Sequence, residues 1–338
     1  MMPAFTEPHI LRCDPGENGR SFHSQHGDQT LNTQIRKKIE EILPEGSVLI
    51  NEPMSKHTTF KTGGPADFFV TVDNAELLKK IITLAIESEI TYYIVGNGSN
   101  ILVSDEGFRG IIIRIKSEPE LIIEKEPQVD GRFLVRAGAG CSLRKLAGDC
   151  TQAGLTGLEF AAGIPGSVGG AVTMNAGAYG GEIGDHIVSV SLMNRIGRQF
   201  ELPKEKLEFG YRTSIIQSLY YIALEAVFAL EQGDKEQGLQ TIAELAARRR
   251  DKQPLEFPSA GSTFKRPEGY FAGKLIEDAG LKGLRVGDAQ VSEKHAGFVI
   301  NRGRATSEDI HTLILKVQRR VLENSGVYLE PEVKMLGF

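Results

Sequence analysis

Apolar residues follow helical or strand spacing along most of this chain, beginning near Thr33. The stretch 33–115 predicts a helix, a strand and then a second helix behind an Asn74 cap, followed by two more strands. The predicted elements are a helix at 33–43, a strand at 66–72, a helix at 75–89, and strands at 91–96 and 110–115. This order predicts one small sheet covered by helices.

Two further units follow from the same patterns. Residues 116–232 predict strands at 121–126, 132–140, 187–194 and 220–230, with a helix at 143–153 that Gly154 ends. Residues 233–329 predict an α+β unit with helices at 239–250, 272–279 and 307–325 and a strand at 296–301. Residues 1–32 are polar, Gly-rich and without apolar periodicity, so we expect a disordered extension there.

Composition narrows the class of protein. The chain has 338 residues, 41% of them hydrophobic, and a formal net charge of -5, so we expect no broad binding to nucleic acid or anionic membranes. No apolar run approaches the roughly 20 residues of a membrane span and no signal peptide is recognisable, so we expect a cytoplasmic protein. Cys13, Cys141 and Cys150 are expected to be reduced thiols. Cys13, His23, His26 and Asp28 could be taken for a metal cluster, but we expect no metal.

Glycine is concentrated in one stretch, 163–181, where it takes seven of nineteen positions. A glycine-rich surface loop is one interpretation. The apolar residues Ile164, Val168, Val172 and Met174 within the stretch favour a buried loop against which a ligand lies.

A second glycine turn follows the strand at 91–96. Gly96, Gly98, Ser99 and Asn100 approach a dinucleotide-binding fingerprint, but Ile101 stands where the last glycine belongs and the next residues continue as a strand. We therefore predict a nest of backbone N–H groups that can hold a pyrophosphate. A similar near match at 136–143 predicts instead that Ser142 caps the following helix.

Together the two glycine loops resemble the flavin-binding loops of the vanillyl-alcohol-oxidase type of FAD-binding fold. Within that fold, six motifs occur in the order found in the UDP-N-acetylenolpyruvoylglucosamine reductase family, and they span the chain from about Met54 to its C-terminus. They are TTFKTGGPAD (58–67), VGNGSNILVSD (95–105), GLEFAAGIPGSVGGAVTMNAGAYGGEI (157–183), YRTS (211–214), PSAGSTFKRP (258–267) and LEPEVK (329–334).

The resemblance implies an α+β fold with a two-part FAD-binding region, 33–115 and 116–232, and a substrate-binding domain, 233–329. Residues 330–338 are expected to return to the site. The implied activity is reduction of the enolpyruvyl ether of UDP-N-acetylglucosamine to UDP-N-acetylmuramate, a step of peptidoglycan precursor synthesis, with non-covalent FAD and NADPH as cofactors. An FAD-dependent alcohol or hydroxy-acid oxidase of the same fold is the alternative.

Three residues take catalytic roles by this resemblance. Ser262 would donate the proton, Arg212 would hold the substrate carboxylate, and Glu332 would stabilise the enolate, a role that requires a raised pKa and partial burial. Glu330 competes with Glu332, because the sequence does not show which one faces the site. Pro331 between them makes a regular strand doubtful.

The resemblance also implies binding residues. Those for FAD are Gly96, Asn97, Gly98, Ser99, Asn100, Ile101, Gly163, Ile164, Pro165, Gly166, Ser167, Gly169, Gly170, Asn175, Gly177 and Ala178; those for the nucleotide sugar are Lys252, Lys265, Arg266, Lys282 and His295. Arg266 departs from the amide of some members. The 50 positions from Arg212 to Ser262 match the branch of the family that lacks an extra tyrosine-bearing loop. A monomer or weak homodimer is expected.

Overall fold

The computed structural model of the chain describes residues 25–116 and 121–338. The first unit contains, in chain order, α1 (Gln25–Ile42), β1 (Val48–Pro53), β2 (Pro65–Val72), α2 (Ala75–Glu87), β3 (Tyr92–Val95), β4 (Ile101–Val103) and β5 (Phe108–Ile115). Four of these strands form a sheet in the order β1-β2-β5-β3, in which β2 and β3 both pair with β5 in parallel. The Asn74 side chain caps α2 by accepting a hydrogen bond from the Leu77 N–H, as predicted.

One expectation at the start of the chain was wrong. Helix α1 begins at Gln25 rather than near Thr33, so part of the predicted disordered extension is helical. Its buried residues Ile35 and Ile39, and Leu43 just after it, join the core of the first sheet, and that burial stabilises a helix whose first turns carry no apolar periodicity. The remainder of the predicted extension, residues 1–24, lies outside the described residues.

The second unit is an antiparallel sheet with helices on one face. Its elements are β6 (Leu121–Ile123), β7 (Phe133–Gly138), α3 (Leu143–Gln152), β8 (Leu155–Thr156), α4 (Val168–Thr173), β9 (Gly177–Ala178), β10 (Gly181–Glu182), α5 (Ile183–His186), β11 (Ile187–Met193), β12 (Gln199–Pro203), α6 (Ile215–Ser218) and β13 (Ile222–Gln232). The sheet runs β12-β11-β13-β7-β6. Ser142 does stand at the N-cap of α3, but its side chain makes no capping hydrogen bond, which corrects the predicted cap.

The third unit is α+β. The sequence placed α7 (Lys235–Lys252) in this unit, but the helix packs on the second unit: Leu245 joins the core of the second unit, and a Cβ added to Gly238 would lie 2.7 Å from the Thr151 Cγ2 of α3. The third unit itself contains α8 (Ala272–Asp278), β14 (Arg285–Val286), β15 (Ala289–Val291), β16 (Val299–Asn301), α9 (Ser307–Ser325) and β17 (Lys334–Leu336). Helix α9 has the predicted bounds, because a Thr306–Asp309 capping box starts it and Gly326, at φ 71°, ends it.

Strand β17 leaves the third unit and pairs in parallel with β4 of the first. Side chains alternate along β4, so Ile101 and Val103 join a core with Leu336 under the first sheet, whereas Leu102 joins the core of the third unit. The β4–β17 ribbon therefore ties the C-terminus to the strand that follows the first glycine turn.

Within residues 25–116 and 121–338, no helix is long and apolar enough to cross a membrane, and no group of three or more His, Cys, Asp or Glu side chains is placed to hold a metal ion. The side chains of Cys13, His23, His26 and Asp28 lie outside the described residues.

Candidate active site

The fold brings the two glycine loops together. A Cβ atom added to Gly96 would lie 3.3 Å from the Ser167 Cβ and closer still to its Oγ. Across the same junction, a Cβ on Gly166 would lie 3.9 Å from the Ser99 Oγ. Two loops separated by more than sixty residues in sequence thus face each other, as a shared ligand requires.

Backbone donors are left open on both loops. For residues 96–100, and for Gly166 and Ser167, no N–H group has a hydrogen-bond partner in the described part of the chain. The carbonyls of the first turn are nevertheless held, since Gly98 O accepts from the Thr59 N–H at 3.0 Å and Asn100 O from the Lys334 N–H at 3.0 Å. A turn fixed by its carbonyls with its N–H groups open is suited to binding an anion.

The glycines of the second loop serve two purposes. A Cβ on Gly169 would lie 2.9 Å from the Ala139 Cβ, so this glycine lets the loop pack on the end of β7. For Gly166 and Gly170 the nearest heavy atoms would be 3.5 and 3.6 Å away, an ordinary contact distance. Packing within the protein therefore requires a glycine at 169 but not at 166 or 170, as expected if a ligand approaches the backbone at these two positions.

Arg212 and Glu332 form a buried ion pair beside these loops. The Arg212 Nε lies 3.2 Å from the Glu332 Oε1, although its N–H does not point at that oxygen. The Nη2 group donates to Gly177 O at 2.9 Å, which fixes the guanidinium on the second glycine loop. Arg212 has φ 55°, a conformation that costs a non-glycine residue energy and that is concentrated at functional sites.

Burial raises the pKa of the Glu332 carboxyl above its ordinary value, against the opposing pull of Arg212, Lys265 and Lys334. Only 13% of the Glu332 side chain is exposed. Glu332 therefore has the partial burial and the raised pKa that its predicted role in stabilising the enolate requires.

The structure separates the two competing glutamates. Glu330 is 62% exposed and pairs with Lys265 at 2.5 Å, away from Arg212. The Glu332 N–H donates to Thr263 O at 2.8 Å, and its carbonyl accepts from the Asn100 Nδ2 at 3.2 Å. Glu332, and not Glu330, is thus the acid fastened between the first glycine turn and the segment that carries Ser262.

Ser262 is exposed and lies one residue before Thr263, which is fully buried. No hydrogen bond of its hydroxyl is formed within the described residues. Gly261, at φ 74° with nothing within 4 Å of an added Cβ, makes the turn that leads into it. The hydroxyl is therefore open to a ligand and to solvent, and the next residue, Thr263, is hydrogen-bonded to Glu332.

The five predicted substrate residues do not all converge. Lys265 lies close enough to Glu332 to oppose part of the rise in pKa that burial causes there. The Arg266 N–H donates to the Tyr211 hydroxyl at 3.1 Å, next to Arg212 in the chain. Of the other three, Lys282 pairs with Glu277 at 2.8 Å, and Lys252 is exposed at the end of α7. His295 accepts from the Gly297 N–H at 3.1 Å, and Gly297 O accepts from the Thr263 N–H at 2.9 Å, so His295 lies near the segment that carries Ser262. Burial lowers the pKa of His295, so its neutral form is favoured.

Two predicted cofactor residues face inward. Asn175 is 2% exposed; its amide donates to Glu182 at 2.8 Å and Gly210 O at 3.0 Å, and its oxygen accepts from the Gly184 N–H at 2.9 Å. The Ile101 side chain is buried in the core under the first sheet. Their side chains hold the loops in place, so any contact with a cofactor falls to their backbones.

Sequence reasoning passed over Tyr179, which is 45% exposed at φ 53° in the turn between β9 and β10. Its position in the glycine-rich turn GAYGG could have indicated a functional role, since a bulky residue in a left-handed conformation is uncommon. Arg249, in the last turn of α7, also reaches the second glycine loop, where it donates to Gly163 O.

Two family models match the chain. Residues 66–203 match the model described as FAD binding domain, and residues 253–336 match the C-terminal domain of UDP-N-acetylenolpyruvoylglucosamine reductase. The two matches, the facing glycine loops and the Arg212–Glu332 pair together define a class of protein. It is a flavin-dependent oxidoreductase with a two-part FAD-binding region and a third, α+β domain.

Full-length relatives identify the family. The UDP-N-acetylenolpyruvoylglucosamine reductases of Lachnoclostridium phytofermentans and Agathobacter rectalis are each 50% identical, cover 91% of this chain, and are themselves covered to 98% and 99%. The crystal structure of the Thermus caldophilus enzyme of the same name has a TM-score of 0.70 at 37% identity and covers 86% of this chain and 98% of its own. The chain belongs to the UDP-N-acetylenolpyruvoylglucosamine reductase family, which confirms the predicted family, fold class and FAD cofactor.

Proposed function

We propose that this chain reduces UDP-N-acetylglucosamine enolpyruvate to UDP-N-acetylmuramate with FAD and NADPH, as a step of peptidoglycan precursor synthesis. The names of its relatives point to this substrate. The observation that carries the proposal is the buried Arg212–Glu332 pair, a fixed cation next to an acid with a raised pKa, set against two glycine loops.

The residues present fit the cofactor. Open N–H groups at 96–100, Gly166 and Ser167 suit the pyrophosphate of FAD, and the space beside Gly166 and Gly170 admits a ligand. When bound, FAD supplies hydride transfer, from NADPH to the vinyl carbon of the substrate.

Arg212 and Glu332 act on the charge that hydride addition creates. The carboxylate of the enolpyruvyl group gains electron density, and the Arg212 guanidinium, held by Gly177 O, stabilises it. Glu332 is protonated more readily than an ordinary glutamate, so it can donate a hydrogen bond to the same enolate. Both groups are in place before the reaction, so little reorganisation is needed.

Ser262 delivers the proton to the carbon next to the carboxylate. A serine hydroxyl is a weak acid, so this step relies on its position beside a strongly basic carbanion. Its exposure allows water to return the proton after each turnover.

Replacement of Ser262 by alanine tests the assignment. We expect normal FAD content and normal bleaching of the flavin band by NADPH without oxygen, but return of the band with the enolpyruvyl substrate slowed by about 10²- to 10⁴-fold. The matched control is Ser259→Ala, three residues earlier on the same loop, which should behave as the wild type. Equal rates in the two variants would remove Ser262 from this role, and a wild-type band that returns only with oxygen would favour an oxidase.

NADPH and the nucleotide sugar must both reach the same flavin, so we expect ping-pong kinetics with inhibition at high substrate. A monomer or weak homodimer in the cytoplasm, where both small molecules are made, completes the proposal.

A further inference from the structure

The segment just after Ser262 runs antiparallel to the segment that carries the two glutamates. Phe264 is paired with Pro331 across this short ladder. Two backbone hydrogen bonds flank the pair: Lys265 N–H to Glu330 O at 2.9 Å, and Glu332 N–H to Thr263 O at 2.8 Å. A residue in a pair of this kind donates no hydrogen bond to its opposite residue, so Pro331 fits although it has no N–H group.

This pairing puts Lys265, Glu330 and Glu332 on one face of the ladder. Successive side chains of a strand point to opposite faces, and Phe264 points the other way, into the core of the third unit. Lys265 lies directly opposite Glu330 and diagonally opposite Glu332. Diagonal neighbours across a ladder remain within reach of a long side chain. The Lys265 ammonium can therefore reach either carboxylate.

In the structure the ammonium is bound to Glu330. The Lys265 Nζ lies 2.5 Å from the Glu330 Oε1, and within the described residues it has no other partner. The Glu330 side chain is 62% exposed, and an ion pair this open to solvent contributes little to the free energy of unfolding. The main effect of the contact is to fix the position of a positive charge beside Glu332.

Three cations act on the Glu332 carboxyl, and each opposes the rise in pKa that burial causes there: Arg212, Lys265 and Lys334. Arg212 is fixed by its hydrogen bond to Gly177 O. Lys334 is two residues farther along the chain, and burial lowers its own pKa. Among these three described cations, Lys265 is the one whose charged group is held by a second carboxylate.

We propose that Glu330 is a positioning residue whose carboxylate holds the Lys265 ammonium away from Glu332, so that Glu332 keeps the proton it offers to the enolate. This role deepens the proposed function and rests on it, because the proton on Glu332 acts on an enolate. Without the Glu330 charge, the ammonium turns to the diagonal carboxylate and favours its ionised form. The two glutamates that the sequence left equivalent thus have different roles.

Glu330→Gln tests this role, because it keeps the shape of an exposed side chain and removes its charge. The matched control is Glu268→Gln, which removes the same charge from an exposed residue that has no ion pair among the described residues. The first measurement uses reduced holoenzyme without oxygen. It follows the return of the flavin band with saturating enolpyruvyl substrate at a series of pH values.

In Glu330→Gln, reoxidation should begin to slow at a lower pH than in the wild type, and above that pH its rate should be about 10-fold lower. Glu268→Gln should match the wild type. Loss of the Glu330 charge could also act on Glu332 directly, so the same change is made together with Lys265→Met. There it should lose most of its effect. An equal effect with and without Lys265 would overturn the proposal, as would a wild-type pH profile in Glu330→Gln.

Urea unfolding of the flavin-free proteins gives a second readout that needs no substrate. Relative to Glu332→Gln, the unfolding free energy of the wild type should fall as pH rises from 4.5 to the folded pKa of Glu332. When both proteins also carry Glu330→Gln, this fall should be smaller and should end at a lower pH. The proposal is wrong if the fall is the same in both backgrounds. Failure of the proposed function would look different, because the unfolding data would change as expected while reduced flavin was not reoxidised by the enolpyruvyl substrate.

Discussion

Gly98 offers the sharpest test of how the first glycine turn is built. It has φ 62°, and a Cβ added there would lie 2.9 Å from the His57 carbonyl carbon and 3.1 Å from the Thr58 Cα, with the His57 oxygen closer still. All three are backbone atoms, which cannot move aside as the end of a flexible side chain can. Gly98→Ala should therefore push the turn away from the 57–59 segment that holds it.

The expected cost has two parts. An alanine in the left-handed region costs about 1–2 kcal/mol. Overpacking against a fixed neighbour adds about 1–3 kcal/mol. The control Gly269→Ala isolates the second part, because Gly269 has a similar φ of 74° but nothing within 4 Å of an added Cβ. Gly98→Ala should thus be less stable than Gly269→Ala by the overpacking cost alone.

Urea unfolding of the flavin-free proteins measures that difference, and flavin absorbance after purification measures FAD retention. We expect Gly98→Ala to lose both stability and flavin, because the displaced turn carries the open N–H groups of residues 96–100. Equal unfolding free energies for the two variants would show that the His57 contact does not constrain the turn. Full FAD retention in a destabilised Gly98→Ala would show that the turn does not bind the cofactor.

Two other predictions concern stability. The pKa of Glu332 in the folded protein lies above its ordinary value of 4.5. The unfolding free energy of the wild type should therefore fall relative to that of Glu332→Gln as pH rises from 4.5 to the folded pKa, and should then stay constant. If urea unfolding gives the same difference in free energy between the two proteins at every pH in this range, the pKa of Glu332 is not raised. Asp105 accepts from the Ser307 and Glu308 N–H groups, both at 2.9 Å, at the start of α9. Asp105→Ala should therefore cost about 1–3 kcal/mol. Asp130→Ala is the control, because Asp130 also accepts from a backbone N–H, that of Arg132 at 3.0 Å, but is exposed in a loop, and its loss should leave the unfolding free energy nearly unchanged.

Local sequence signals predicted the elements whose stabilising contacts are themselves local. The bounds of α9 and the cap of α2 follow from side chains within a few residues of each helix end. The strand that follows the first glycine turn was predicted because the apolar residues from Ile101 onward continue as a strand, and β4 confirms it. The start of α1 was missed because its stability comes from packing on a sheet.

Much of the candidate site depends on contacts between distant segments. The sequence singled out Arg212, Ser262, Glu332 and the two glycine loops by their motifs, because these combinations of residue types are rare. It left Glu330 and Glu332 equivalent. The pairing of β17 with β4 separates them, since it fastens Glu332 to Asn100 and leaves Glu330 in solvent.

The sequence by itself thus determined most of the helices and strands and the family, because periodicity, caps and glycine motifs depend on residues close together in the chain. The tertiary structure decided which acid is buried, turned Asn175 inward, and placed the Arg249 guanidinium on Gly163 O. Burial and charge pairing are properties of segments far apart in sequence, and these set the pKa of Glu332.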